Sequence, residues 1–291
     1  MQLDLSLKRA LEARIAAATG ERFTIATVAD VAGGCINSAC VVGDGVRRFF
    51  VKRNAASALD MFLAEADGLR ELAAAQAIRV PLPIAADVAE QAAFLVLEFL
   101  SLTRAPDPRR LGGELAALHR RAGAHYGWHR DNTIGATPQE NSPAGEWWQF
   151  WRDRRLRPQF ERAYRNGHDH LRNEAERLLA ARPDALAGHE PVASLLHGDL
   201  WGGNAAGLGD GTPVLFDPAV YYGDREADLA MTELFGGFAR DFYAAYREAW
   251  PLAPGYEERK PLYNLYHLLN HLNLFGASYL GQVRACLKRI R

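Results

Sequence analysis

Cysteine is scarce. Cys35, Cys40 and Cys286 are all the chain has, too few for a disulfide scaffold and in keeping with a reducing compartment. No two of them form a Cys-x-x-Cys pair. Long apolar runs are missing too: no stretch approaches the roughly 18–20 residues that span a bilayer. An excess of one charge is also absent, since 34 Lys and Arg stand against 35 Asp and Glu. That balance argues against a dominant nucleic-acid function, which needs a basic face. The basic residues Arg284, Lys288, Arg289 and Arg291 suit the last turns of a helix, where cations meet the negative end of the dipole. Residues 1–20 read as an amphipathic helix with no signal-peptide core or cleavage site. The expectation is a cytoplasmic protein that binds neither nucleic acid nor membrane. His267 and His271 have the i, i+4 spacing of some zinc sites, but Leu268 stands where a metalloprotease needs its Glu. Packing is their expected role.

What is present is ordinary globular material, 48% hydrophobic and 24% charged in 291 residues. Residues 23–30, 36–42 and 46–51 read as strands. Gly33-Gly34 separates the first pair and Gly43-Asp44-Gly45 the second, a strong hairpin signal. Residues 58–75 show helical spacing, and strands follow near 80–86 and 93–99. The polar stretch 100–109, with Pro106 and Pro108, reads as a hinge. Beyond it helices are expected over 111–122, 146–164, 170–181, 226–234, 239–250 and 262–274, interrupted by a short strand pair at 193–196 and 213–216. The fold class is therefore α+β, with an N-terminal lobe of antiparallel sheet over 1–100 and a mainly helical C-terminal lobe over 101–291.

The chemistry concentrates in Leu195-Leu196-His197-Gly198-Asp199-Leu200-Trp201-Gly202-Gly203-Asn204, with Asp217 thirteen residues after Asn204 at the end of an apolar run. An Asp and an Asn five apart on one loop, then an Asp ending the next strand, is the pattern of protein-kinase catalysis. The first Asp, Asp199, must reach an acceptor hydroxyl. The Asn204 amide oxygen and Asp217 must converge on Mg²⁺ bound to ATP phosphates, a hard cation that takes oxygen ligands. Phe49-Phe50-Val51-Lys52 places Lys52 at the end of an apolar strand, where a kinase holds the lysine of the α- and β-phosphates. Glu65 on the following helix is its ion-pair partner or else a surface acid. Gly33 and Gly34 can bring backbone N–H groups to phosphates. Glu98-Phe99-Leu100 leads into the hinge, where the adenine edge pairs with backbone groups in a kinase-like fold. Trp201 is an aromatic wall for the acceptor or packs its loop, and Trp128 and Tyr222 are further candidates for that wall. Cys35 adjoins the phosphate loop near Lys52, a setting that favours the reactive thiolate. It is expected to be redox-active and, if oxidised, to bridge two otherwise monomeric chains as a disulfide-linked homodimer.

The His-Gly-Asp form, lacking the Arg of protein kinases, resembles the aminoglycoside phosphotransferase and choline kinase superfamily. Within it, His197-Gly-Asp-Leu-Trp-Gly-Gly-Asn204 is similar to the fructosamine (ketosamine) 3-kinases, in which a Trp follows the Asp-Leu. The stretches 131–139, 147–151, 222–231 and 275–280 agree as well, so the resemblance covers nearly the whole chain. It implies a bilobal protein-kinase-like fold and ATP-dependent phosphorylation of the sugar 3-hydroxyl of a ketosamine. The 3-phosphate then releases the amine, so the implied role is protein deglycation. Departures from protein kinases are plain: Asp217-Pro218-Ala219 replaces Asp-Phe-Gly, no Ala-Pro-Glu follows, and the stretch from Asp217 to Glu226 is too short for a long activation loop. Regulation by loop phosphorylation and a protein hydroxyl as acceptor are both disfavoured. The competing readings are a kinase of an aminoglycoside, choline or a methylthioribose-like sugar, and a nucleotide-binding pseudokinase, although the four residues it would lose are all present.

Overall fold

The computed structural model describes residues 3–31, 36–102 and 105–290. Five strands form one antiparallel sheet in the order β1-β2-β3-β5-β4. They are β1 (Thr27–Val31), β2 (Ser38–Gly43), β3 (Arg48–Ala55), β4 (Pro83–Ala89) and β5 (Ala92–Glu98). β1 is the exposed edge. β5 lies inside the sheet, and its period-2 pattern explains how both faces are covered. Phe94 and Val96 point to one cluster, where helix α1 (Leu5–Thr19) contributes Leu7, Leu11 and Ile15. Ala93, Leu95 and Leu97 point to the other, where α2 (Leu59–Ala74) contributes Phe62, Leu69 and Leu72. The β2–β3 turn is fixed by its own chemistry. The Asp44 carboxylate accepts from the backbone N–H of Arg47 at 2.7 Å and of Val46 at 3.0 Å, and these bonds hold its pKa down to about 2.

The second lobe is mainly helical. Asp107 caps α3 (Pro108–His119) by accepting from the Arg110 N–H, with proline at the first helical position. The hairpin β6 (Asn132–Ile134) and β7 (Thr137–Gln139) follows. One continuous helical segment then runs through α4 (Trp147–Phe150), a π-helical stretch Trp151–Leu156, and α5 (Arg157–Arg165). After α6 (Arg172–Ala180) come β8 (Ser194–Leu196), β9 (Ala205–Gly207), β10 (Pro213–Leu215) and β11 (Tyr221–Gly223). The chain closes with α7 (Glu226–Leu234), α8 (Arg240–Ala249), α9 (Tyr256–Phe275) and α10 (Leu280–Arg289). α3 lies hard against α8: a Cβ at Gly112 would stand 2.3 Å from the Phe242 carbonyl oxygen. Among the described residues, no helix is long and apolar enough to cross a membrane.

Two expectations are corrected here. The strands near 193–196 and 213–216 do not pair with each other; β8 pairs with β11, and β10 with β9. Also, the helix expected from Leu262 begins at Tyr256 and carries Pro261 inside it. Proline's missing N–H costs an interior helical bond, which made it look like a boundary.

Candidate active site

A cavity of about 640 Å³ opens between the sheet and the helical lobe. β3 brings Lys52 to it, 7% exposed. The Lys52 Nζ lies 2.5 Å from Glu65 Oε1 on α2 and 2.5 Å from Asp217 Oδ1. Burial works against the ammonium's charge, but Glu65 and Asp217 outweigh it and raise the Lys52 pKa. Burial pushes Glu65 up in turn, against the pull of Lys52. A cation held between two carboxylates cannot wander, so its position is fixed before any ligand arrives.

The loop after β8 is held from behind. Asp228 on α7 accepts from the backbone N–H of His197 at 2.7 Å and of Gly198 at 2.8 Å. His119 Nε2 lies 3.2 Å from the same carboxylate. Burial opposes its charge, yet His119, His197 and the Gly198 N–H together hold the Asp228 carboxyl below its usual value. Gly198 has φ +82, and a Cβ there would sit 2.0 Å from the Ala219 carbonyl oxygen. Only glycine fits. The His197 Nε2 donates to the Phe216 carbonyl at 3.0 Å, tying this loop to the residue before Asp217.

Asp199 therefore projects into the cavity from a rigid turn. Burial, then the charge of Asp217, pushes its carboxyl up to about 7, against the Asn204 hydrogen bond. Asn204 Nδ2 donates to the Asp199 carbonyl at 2.8 Å and to its carboxylate at 3.2 Å. This uses the amide's donor and leaves its oxygen facing elsewhere. Asp217 has φ +55, unusual for a non-glycine, and its side chain is 48% exposed. Such backbone strain clusters at ligand-binding positions.

Lys52, Glu65, Asp199, Asn204 and Asp217 thus surround one cavity, which Glu98, Phe99 and Leu100 also line. The Glu98 side chain is occupied by Arg79 and by the Leu82 N–H at 3.2 Å. Trp201 lines the cavity and is 40% exposed. Its ring covers Gly203, where a Cβ would meet it at 2.3 Å. Gly33, Gly34 and Cys35 lie outside the described residues.

Trp128 and Tyr222 are corrections: neither lines the cavity. Trp128 is 5% exposed in the core, with its ring 4.4 Å from that of His129. Tyr222 lies over Gly123 and donates its hydroxyl to Glu71 at 2.7 Å. Trp128 is core, and Tyr222 is a half-buried link to α2. The expectations also assigned no role to Asp228, and only packing to His271, which lines the cavity from α9 with Asn270, Leu274 and Phe275. Helical spacing groups that face, but only the fold shows what it confronts.

The fructosamine kinase family model matches residues 7–291. A Synechocystis protein curated as a probable ketoamine kinase is 46% identical over 279 residues, covering 95% of this chain and 94% of that one. A rice (Oryza sativa subsp. indica) protein-ribulosamine 3-kinase is 40% identical, covering 89% and 77%. A Haemophilus somnus protein solved under the name fructosamine-3-kinase superposes with TM-score 0.88 at 31% identity, covering 96% of each chain. The bilobal fold extends further, to an aminoglycoside phosphotransferase at TM-score 0.60 and 14% identity, covering 96% of this chain and 98% of that one. A loop bearing Asp199 and fixed by Asp228, a lysine fixed by two carboxylates, and agreement along almost the full length lead to one assignment: this chain belongs to the fructosamine kinase family.

Proposed function

We propose that this chain transfers the γ-phosphate of ATP to the sugar 3-hydroxyl of a ketosamine. The observation that carries the reading is the convergence of Lys52, Glu65, Asp199, Asn204 and Asp217 on one cavity. Lys52, aligned by Glu65, holds the phosphates. Phe99 and Leu100 border the nucleotide base. Asp199 orients the hydroxyl and takes its proton as the oxygen bonds to phosphorus and ADP leaves. Asp217 and Asn204 would hold Mg²⁺, and the residues fit it. Their oxygens are hard donors, the Asn204 donor group is already used, and Asp217 faces the Lys52 cation. When bound, Mg²⁺ neutralises charge on the phosphates. Every other contribution is positioning by groups fixed beforehand. Gly33 and Gly34 belong to the phosphate loop in this reading, and Cys35 is the thiol through which mild oxidation inhibits.

The cavity weighs against a polycationic aminoglycoside. Its acids are Glu65, Glu98, Asp199 and Asp217, and each has a partner or a chemical task. The test is ATP consumption with ribulose-lysine, fructose-lysine, choline and kanamycin at equal concentration. Turnover is expected with the ketosamines, and Asp199→Asn should lower kcat by about 10²–10⁴. Turnover with choline or kanamycin alone would overturn the assignment.

A further inference from the structure

Along α9, Asn270, His271, Leu274 and Phe275 line the cavity, a spacing that puts them on one helical face. His271 Nδ1 lies 2.8 Å from the His267 carbonyl oxygen. A carbonyl only accepts, so Nδ1 carries the proton. In a neutral ring Nε2 is then a bare acceptor. Burial pushes the His271 pKa down, which keeps the ring neutral near pH 7. The ring itself is fixed by Phe235 at 4.6 Å, Tyr279 at 5.1 Å and Phe275 at 5.4 Å between centroids.

The same cavity presents rings that the core does not use. Phe275 is 52% exposed and Trp201 40%, and both line the cavity. Large aromatic surface left open at a cavity marks a binding surface, and aromatic faces attract cations. No carboxylate of the cavity stands free on this side. Glu65 and Asp217 pair with Lys52, Glu98 pairs with Arg79, and Asp199 has the hydroxyl to bind. A lone pair framed by aromatic rings suits one ammonium flanked by carbon, not a cluster of primary amines.

We propose that His271, with Phe275 and Trp201, forms the subsite for the protonated secondary amine of the acceptor. This rests on the ketosamine reading. In a ketosamine the nitrogen is borne on C1 and the reacting hydroxyl on C3, so the amine must lie close to Asp199. Asp199, Trp201, His271 and Phe275 all line the same cavity, which meets that condition. The His271 Nε2 accepts the ammonium's N–H, and the rings of Phe275 and Trp201 cover its charge. The subsite thereby separates a glycated amine from the free sugar.

The test compares ribulose-lysine with an ether analogue carrying oxygen in place of that nitrogen, on wild type, His271→Phe and His271→Gln. His271→Phe keeps a ring but removes the acceptor. It should raise KM for ribulose-lysine about tenfold to a hundredfold, the scale of a hydrogen bond to a charged group. KM for ATP and turnover of the ether analogue should stay at wild-type values. His271→Gln, which restores an acceptor oxygen, should recover part of the loss. An unmoved KM in His271→Phe, or equal losses with both acceptors, would overturn the subsite. Absence of ribulose-lysine turnover in the wild type would instead overturn the ketosamine reading beneath it.

Discussion

Asp217 has two tasks that pull on one side chain. It pairs with Lys52, and it is also assigned to Mg²⁺. Replacing it with alanine leaves Lys52 paired to Glu65 alone and removes the charged oxygen donor. Asp217→Ala should abolish Mg²⁺-dependent ketosamine phosphorylation, whereas Asn204→Ala, losing a neutral donor, should only weaken it. A magnesium titration of initial rates checks both, and wild-type activity of Asp217→Ala at limiting Mg²⁺ would refute the ligand role. These residues were legible in the sequence because the chemistry demands them at fixed spacing on one loop and the next strand end. Gly198 was legible as part of that motif, but its reason, the Ala219 carbonyl 2.0 Å from any Cβ, needed the fold. Trp128 and Tyr222 misled because an aromatic near a motif reads the same whether it faces ligand or core. The helical i, i+4 pair His267 and His271 splits the other way: one is buried in the core and the other lines the cavity.

At the scale of elements, α2 decides whether Glu65 meets Lys52, and it is clamped from its other side. Arg130 reaches Asp60 and Asp67 on α2, at 2.6 Å each. Glu71 receives the Tyr222 hydroxyl, and Gly68 faces Val220 so closely that a Cβ would meet it at 3.1 Å. The helical lobe thus holds α2 in its working position without an activation loop, consistent with the short stretch between Asp217 and Glu226. Arg130→Ala should loosen α2 and raise KM for ATP by about fivefold, the scale of about 1 kcal/mol for a partly exposed pair. Asp60→Asn combined with Asp67→Asn should reproduce it. Steady-state kinetics with varied ATP tests this, and a KM unchanged in both variants would show that the clamp is idle. The sheet's hairpins could be read from Gly43-Asp44-Gly45 and from alternation. The pairing of β8 with β11 could not, because strands of three residues carry no pattern that names a partner. The π-helical stretch Trp151–Leu156 was also invisible, since its residues keep ordinary helical spacing.

The whole molecule carries an acid sensitivity seated in α9. His267 is 2% exposed, and among the described residues its Nδ1 has no hydrogen-bond partner. Burial, and then repulsion from His271, depress its pKa from 6.5 to about 3. Between those values the unfolded chain binds a proton that the folded chain refuses. Stability from this group is complete above pH 6.5 and is lost as pH falls toward the folded pKa. At pH 5 the loss amounts to about 2 kcal/mol, at about 1.4 kcal/mol per pH unit. His197 is depressed by burial in the same sense. Glu65, Asp199 and Glu226 have raised pKa values, so their contributions fall as pH rises and oppose the histidines. The net slope mixes both signs, and the measurement must isolate His267. His267→Phe keeps an aromatic ring in the core and removes the titrating group. Its unfolding free energy relative to wild type should shift in its favour by about 2 kcal/mol between pH 7 and pH 5. Denaturant unfolding of both proteins at the two pH values measures this difference, and a gap that does not change with pH would show that His267 is not the proton's site.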